Sequence, residues 1–483
     1  MKAGTGTGIV TIALFTRDLR VHDNPMLAAA AAEAGGNVVP LFVLDDAIAA
    51  RSLATSGRLL FLHEALADLD ASLRGLGTRL VVRRGPLVEE VCRVAAEAGA
   101  AAVHISADVS QFAQTREAQL CAALSAQRCR LHVHQQVHTV QAPGSLVPAG
   151  RDHFSVFTPY FRRWSETPTR PLANVPRRLR RPVVAVRPLL SGDSGKSGTS
   201  STSSASGGET AGRQRAEDWL THGIRRYADL HDDLAADATS RLSPYLHFGC
   251  VSATELVTRV RESAPCAGSD AFVRQLAWRD FHHQVLAARP DAAREDYRSR
   301  DDVWRDDPRA FEAWAQGRTG IPIVDAGMRQ LLAEGWMHNR ARLITAGFLT
   351  KTLYLDWRAG AAHFAAHLVD ADVANNAMNW QWSAGTGTDT RPNRVLNPLR
   401  QAARYDPTGD YIRRHVAELS DVKHPVDVQQ PWRLGEAELR HRRYPAPTVD
   451  LDGARRKFLA ARTGDSDGDG DGEIGGHSEG MLF

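Results

Sequence analysis

Ile9-Val10-Thr11-Ile12-Ala13-Leu14-Phe15 runs straight into Thr16-Arg17-Asp18-Leu19-Arg20. The first stretch is apolar and rich in β-branched side chains, the composition of a strand buried on both faces of a parallel sheet. Val38–Leu44, Arg79–Val82, Ala101–Ile105 and Arg130–Val133 repeat the type. Helical patterns separate them. The clearest, after Ser56, carries Leu62, Leu66, Leu69, Leu73 and Leu76 at helical spacing and stops at Gly77. Strand and helix alternate about five times, which predicts an α/β domain on a doubly wound parallel sheet. Dinucleotide-binding sheets place Gly-x-Gly-x-x-Gly after the first strand, and Thr16–Arg20 contains no glycine. An ordinary dinucleotide site is therefore not expected in this domain. A pocket at the carboxyl edge of the sheet stays open. Asp108, just past the fourth strand, is either a polar anchor there or a helix cap.

At 483 residues the chain is too long for one core. After Val140 the patterning fades into a proline-rich stretch, and Ser191 to Gly212 is almost wholly Ser, Gly and Thr. From Arg213 onward strands give way to helical patterns: Ala253–Arg261, Ala271–Ala288, Pro322–Glu334, Ala341–Leu353 and Ala361–Leu368. The expected organisation is an α/β domain over 1–140, a connection over 141–212, an all-helical domain over 213–462, and a disordered acidic tail over 463–483.

A hydrophobic fraction of 43% is ample for real cores. No apolar run approaches the ~18 residues of a membrane span, and no signal-peptide pattern opens the chain, so a soluble cytoplasmic monomer is expected. The five cysteines (Cys92, Cys121, Cys129, Cys250, Cys266) form no Cys-x-x-Cys pair. That argues against a disulfide framework, a cysteine-ligated zinc or an iron–sulfur cluster, and no metal is expected. Lys+Arg 59 nearly balances Asp+Glu 56. Net charge therefore announces no nucleic-acid partner, although arginines cluster between Arg391 and Arg414.

The chemistry-bearing residues gather in the helical half. Asp356-Trp357-Arg358, Val369-Asp370-Ala371-Asp372-Val373-Ala374-Asn375-Asn376 and Asn379-Trp380-Gln381-Trp382 crowd tryptophans, carboxylates and asparagines together, with Trp278, Trp304, Trp314 and Trp336 upstream. Rigid π-systems beside polar groups point to a planar cofactor and to a place where a nucleobase stacks; a capped aromatic core is the alternative. Tyr227 precedes Thr239-Ser240-Arg241-Leu242-Ser243, a helix start that either caps itself or cradles a phosphate. Arg342 with Asp370 and Asp372 is either a buried ion network or, with Asn376, a set of partners for a heteroaromatic edge.

These words resemble the photolyase/cryptochrome family, closest to the class I photolyases of bacteria. Phe15–Arg20, Thr239–Ser243, Trp278-Arg279-Asp280-Phe281, Thr319–Ala326, Gly335-Trp336-Met337-His338-Asn339-Arg340, Asn397-Pro398 and Tyr405–Ile412 carry the likeness. It implies an α/β antenna domain and an all-helical domain holding FAD, reduced and anionic in the active form. It also implies light-driven repair of cyclobutane pyrimidine dimers, with UV-damaged DNA as partner and the dimer flipped out. Carried over by position, Tyr227 and Thr239, Ser240, Arg241, Leu242 and Ser243 hold the phosphates and ribityl chain. Arg342, Asp370, Ala371 and Asp372 meet the flavin ring, and Asn376 faces its N5. Gln275, Arg279, Trp336 and Asn339 complete the cofactor set. Trp380, Trp357 and Trp304 fall on the family's electron-hopping chain. Trp278 and Trp382 flank the dimer, while Gln275, Arg279, Asn339, Arg340, Arg394 and Gln401 face DNA. Four arginine–phosphate contacts would make affinity fall with roughly the 3.6 power of salt. Asp108 resembles the anchor of an 8-hydroxy-5-deazaflavin antenna, with methenyltetrahydrofolate the alternative.

Two positions depart from the dimer-repair pattern. Gln275 stands where a Glu is usual, which keeps a hydrogen-bond donor but loses the proton-sharing carboxyl. Leu343 replaces a Met, a near-isosteric change. Six–four photoproduct repair and light sensing are the alternative functions. Six–four enzymes place histidines where Asn339 and Leu343 stand, and plant cryptochromes place an Asp where Asn376 stands.

Overall fold

The computed structural model describes residues 8–45, 56–180, 184–185, 206–263 and 265–463. β1 (Thr11–Phe15), β2 (Val38–Leu44), β3 (Val81–Arg84), β4 (Ala102–Ser106) and β5 (Arg130–His134) form a parallel sheet in the order β3-β2-β1-β4-β5. That order is doubly wound, with its switch point between β1 and β4. The third strand starts later than the apolar pattern predicts, because Leu80 donates its N–H to Asp70 Oδ1 at 2.9 Å and pairing with β2 begins at Leu41↔Val81.

The connecting helices are α1 (Pro25–Glu33), α2 (Ser56–Gly75), α3 (Leu87–Ala98) and α4 (Gln111–Ala126). Leu62, Leu66, Leu69 and Leu73 of α2 are buried, as their spacing requires, and Gly77 takes the left-handed φ of +97° that ends the run. Alternation along β1 splits its side chains between two cores. Ile12 and Leu14 meet α3 and α4 residues, while Ala13 and Phe15 join a core that continues into Trp278 and Phe281 of the helical domain. The two domains therefore share apolar packing.

The connection holds more structure than its composition predicts. α5 (Phe157–Glu166) lies within it, its Trp164 indole N–H donating to Asp280 Oδ2 at 2.9 Å. α6 (Glu209–Asp218) begins inside the stretch read as linker. Glu209 accepts the N–H groups of Val21 (2.8 Å) and His22 (2.9 Å), and a Cβ at Gly212 would stand 2.7 Å from Tyr245 and Val251. Those glycines serve close packing rather than flexibility. The rest of the linker, 186–205, and the acidic tail from 464 lie outside the described residues.

The helical domain contributes α7 (Ala253–Glu262), α8 (Ala267–Ala288), α9 (Pro322–Glu334), α10 (Asn339–Gly347), α11 (Trp357–His367), α12 (Val373–Ala384) and α13 (Pro398–Tyr405). The predicted 341–353 helix is α10 plus a π-helical turn, Phe348–Thr352. α11 starts earlier than predicted, because the Asp356 side chain caps it by accepting the N–H of Arg358 at 2.9 Å. Among the described residues no helix is long and apolar enough to cross a membrane.

Candidate functional site

The residues singled out between Asp370 and Trp382 occupy one helix and the turn before it. Asp372 caps α12 by accepting the N–H of Asn375 at 2.9 Å, and Gly385 closes the helix at φ +81°. Asn376 and Trp380 are four residues apart and so share a face. Asn376 donates its amide to the Ala361 carbonyl at 3.0 Å, which leaves its buried Oδ1 without a partner. Arg342 Nη2 donates to Asp370 Oδ2 at 2.8 Å, and Ser243 Oγ donates to the same oxygen. Oδ1 of Asp370 is buried and unpartnered. Ala371 lies at the turn between the two carboxylates, where Asp372 N–H meets Asp370 O at 2.7 Å.

Buried polar atoms are normally satisfied by the chain, so a group of orphans marks a ligand that bonds them. Asp370 Oδ1, Asn376 Oδ1, Thr239 Oγ1 and Arg279 Nη2 form such a group, two acceptors, a hydroxyl and a donor. That mixture suits a flavin, whose ring edge offers both N–H and C=O. The residues present therefore fit FAD. Within the Thr239–Ser243 run the parts diverge. Thr239 and Ser240 line a cavity of about 650 Å³, while Ser240 Oγ accepts the Leu242 N–H and Leu242 is buried core. Ser243 turns its hydroxyl to Asp370. Arg241, at φ +50°, pairs with Asp237 and Glu334 and lies 4.1 Å over the Trp336 ring. Its side chain is engaged within the chain. Trp336 in turn donates to Ser243 Oγ at 3.3 Å. Tyr227 is buried among Trp219, His231 and Phe272.

Arg17 is the functional residue that sequence reasoning passed over. It follows β1, and Asp108 follows β4, so both stand at the switch point where doubly wound sheets take ligands. Arg17 donates to Asp108 Oδ2 at 3.0 Å and, from its other nitrogen, to Asp372 of the helical domain. Burial alone would raise the Asp372 carboxyl; His283, Arg17 and Arg279 outweigh it and hold it well below the usual range. Asp108 is not the free antenna anchor expected. Its second oxygen accepts the Ser110 N–H at 2.9 Å, and its cavity, about 190 Å³, falls short of the ~300 Å³ usual for an organic ligand. Arg17, which it holds, joins the two domains through Asp372.

Two of the expected DNA-facing arginines are corrected. Arg340 is 1% exposed, pairs with Asp232 and lies 4.3 Å over Tyr405. Arg279 is 2% exposed and donates to the His138 carbonyl, facing Asp372 rather than solvent. A guanidinium so enclosed cannot meet a phosphate. Trp278 stacks on Phe157 with centroids 3.6 Å apart at 6°, so one ring face is taken by the chain itself. Gln275, one turn before Arg279 on α8, is buried; Asn339, at the start of α10, is half-buried, as are Trp382 and Gln401. Arg394 is exposed.

Of the three tryptophans expected to pass electrons, Trp380 and Trp357 are buried and Trp304 is half-buried. Trp380 is fully buried, 4.9 Å from Phe364 and 6.0 Å from Trp314. A Cβ at Gly360 of α11 would come within 2.2 Å of the Trp380 ring, so only glycine admits it. Trp357, at the start of that helix, is buried and donates to Asp296 at 2.8 Å. Half-buried Trp304 lies 5.2 Å from Tyr354.

Buried histidines make the domain acid-sensitive. Burial holds His282 and His338 near about 4, against 6.5 in solvent; His282 Nδ1 meets Asn375 Oδ1 at 3.0 Å, and His338 Nδ1 accepts the Arg340 N–H at 3.2 Å. Between pH 6.5 and 4 the unfolded chain binds protons that the folded chain refuses, so stability falls as pH falls. Each histidine contributes at most ~3 kcal/mol to that loss. The urea midpoint should drop steadily from pH 7 to 5; a flat midpoint contradicts the assignment.

Residues 11–177 match the family described as DNA photolyase, and residues 272–463 match the FAD binding domain of DNA photolyase. The deoxyribodipyrimidine photo-lyase of Streptomyces griseus is 55% identical over 455 residues, 94% of this chain and 99% of that one. A class III photolyase from Agrobacterium tumefaciens superposes at TM-score 0.86 and 32% identity, covering 96% of this chain and 99% of that chain. An archaeal photolyase from Sulfolobus tokodaii, solved with two FAD molecules, gives 0.80 at 28% identity, covering 94% and 100%. With the parallel sheet, the helical cradle and this agreement along both halves, the chain belongs to the DNA photolyase family.

Proposed function

We propose that this protein reverses cyclobutane pyrimidine dimers in DNA under blue or near-ultraviolet light. When bound in its reduced, anionic form, FAD supplies the photoexcited electron that opens the dimer and takes it back afterwards. The chain's part is to hold and tune. Asp370 Oδ1 would accept from a ring N–H while Arg342 and Ser243 fix its other oxygen. Asn376, its amide N–H held by the Ala361 carbonyl, would offer its Oδ1 to the ring. Arg279 Nη2 brings positive charge to an anionic flavin. Trp380, Trp357 and Trp304 carry electrons from the surface to restore the reduced state. Enzymes that act on a stacked base, photolyases among them, extrude it first, and a dimer that stacks poorly lowers that cost to a few kcal/mol. Half-buried Trp382 receives it; Trp278 and Gln275 of α8, which the resemblance also assigns to the lesion, are buried. Asn339 and Leu343 supply no proton donor of the kind six–four repair needs.

The observation that carries this reading is the pair of buried carboxylate and amide oxygens without partners, Asp370 Oδ1 and Asn376 Oδ1, in α12 and the turn before it. Its test is illumination of the reduced protein with dimer-containing DNA, following recovery of pyrimidine absorbance. Recovery only with six–four lesions, or with neither lesion, overturns it. Extracted chromophores report the antenna and decide between 8-hydroxy-5-deazaflavin and methenyltetrahydrofolate.

With Arg279 and Arg340 enclosed, phosphate contacts fall to the exposed Arg391, Arg394 and Arg400 beyond α12. Log affinity should then decline against log salt with a slope of roughly 2.7, and Arg394→Ala should lower that slope by ~0.9. Titrations of labelled DNA between low and moderate salt read both. An unchanged slope in Arg394→Ala removes that residue from the interface.

A further inference from the structure

The outer edge of the sheet, remote from the α12 cradle in the fold, gathers a second set of chemistry-bearing side chains. His104 on β4 and His132 on β5 are register partners, and His134 follows on the same face of β5. α1 crosses this face and ends at Glu33. Glu33 Oε2 stands 3.1 Å from His104 Nε2 and 3.5 Å from His132 Nε2. Its other oxygen accepts from Arg130 Nη2 at 2.6 Å, which turns Oε2 toward the imidazoles. His104 is only 2% exposed, and its Nδ1 lies 3.0 Å from His134 Nε2. Nε2 of His132 is buried and makes no hydrogen bond.

Ligand atoms bound at ~2.0–2.1 Å around a tetrahedral ion stand about 3.3–3.4 Å apart. The two distances from Glu33 Oε2 bracket that value, and one ligand atom from each of the three residues lies within 4.8 Å of the others. Hydrogen bonding within the cluster leaves His132 Nε2 unsatisfied; an ion would take its lone pair. We propose that Glu33, His104 and His132 bind a divalent transition ion of the zinc type. Two imidazoles and one carboxylate suit such an ion, whereas magnesium and calcium prefer oxygen ligands throughout. The His132 side chain is 39% exposed, so water fills the fourth position. Arg130 and His134 are positioning residues, orienting the carboxylate and the His104 ring. The bound ion clamps the end of α1 to β4 and to the edge strand β5.

The test is calorimetric titration of zinc chloride into the flavin-loaded full chain after chelator treatment. One ion per chain is expected, with a melting temperature that rises with zinc concentration. His132→Ala and Glu33→Gln, both at partly exposed positions, should each weaken binding by about tenfold or more. His153→Ala, a histidine outside the cluster, should not. Magnesium chloride should give no heat of binding. Flavin absorbance and far-ultraviolet dichroism confirm that each variant is folded. Absence of stoichiometric zinc binding overturns the proposal, as does unchanged affinity in folded His132→Ala and Glu33→Gln.

Discussion

Trp380→Phe abolishes light-driven reduction of the oxidised flavin and leaves dimer repair by chemically reduced protein intact. The expectation follows from where the ring lies. Trp380 is one turn from Asn376 on the same face of α12, and it fits against Gly360 on the helix that begins with Trp357. A phenyl ring keeps most of the packing with Phe364 and Trp314 but is far harder to oxidise than an indole. Because the swap keeps an aromatic, its cost should stay below the 3–5 kcal/mol of truncating a tryptophan to alanine. Among the described residues the indole N–H makes no hydrogen bond, so its loss orphans no acceptor. Flavin absorbance under continuous light with an external reductant reads photoreduction, and the dimer assay with dithionite-reduced protein reads repair. Loss of both activities would assign Trp380 a structural role.

Asp370→Ala yields a colourless, destabilised protein. The side chains of Arg342 and Asp370 are 4% and 0% exposed, and they meet at 2.8 Å. Removing one member of a buried pair leaves the other charge uncompensated, at a cost of ~3–5 kcal/mol. The same change removes the oxygen that faces the cofactor and the acceptor that holds Ser243. Asp370→Asn separates these effects, since it keeps an acceptor toward the ring while losing the charge that Arg342 needs. Flavin-to-protein absorbance ratios and urea midpoints give the two readouts. A yellow, fully loaded Asp370→Ala protein would remove Asp370 from the cradle.

Much of the cradle was legible because local spacing sets it. Asp372, Asn376 and Trp380 fall four residues apart, and any helix through them puts them on one face. The arginines were not legible. The resemblance set Arg279 and Arg340 against DNA, yet Asp372 and Asp232 draw them inward from elements distant in sequence. Glu33, His104 and His132 escaped for the same reason, since three elements must assemble before they meet.

The sequence by itself determined the two-domain plan, the parallel sheet and the face of α12, since each depends on periodicity within a few turns or strands. Tertiary structure decided which polar groups are enclosed, which carboxylates share a cation, and that Arg17 and Asp108 spend the sheet's switch point on joining the domains. Burial and ion pairing are relations between distant segments, and residue order alone does not state which segments come together.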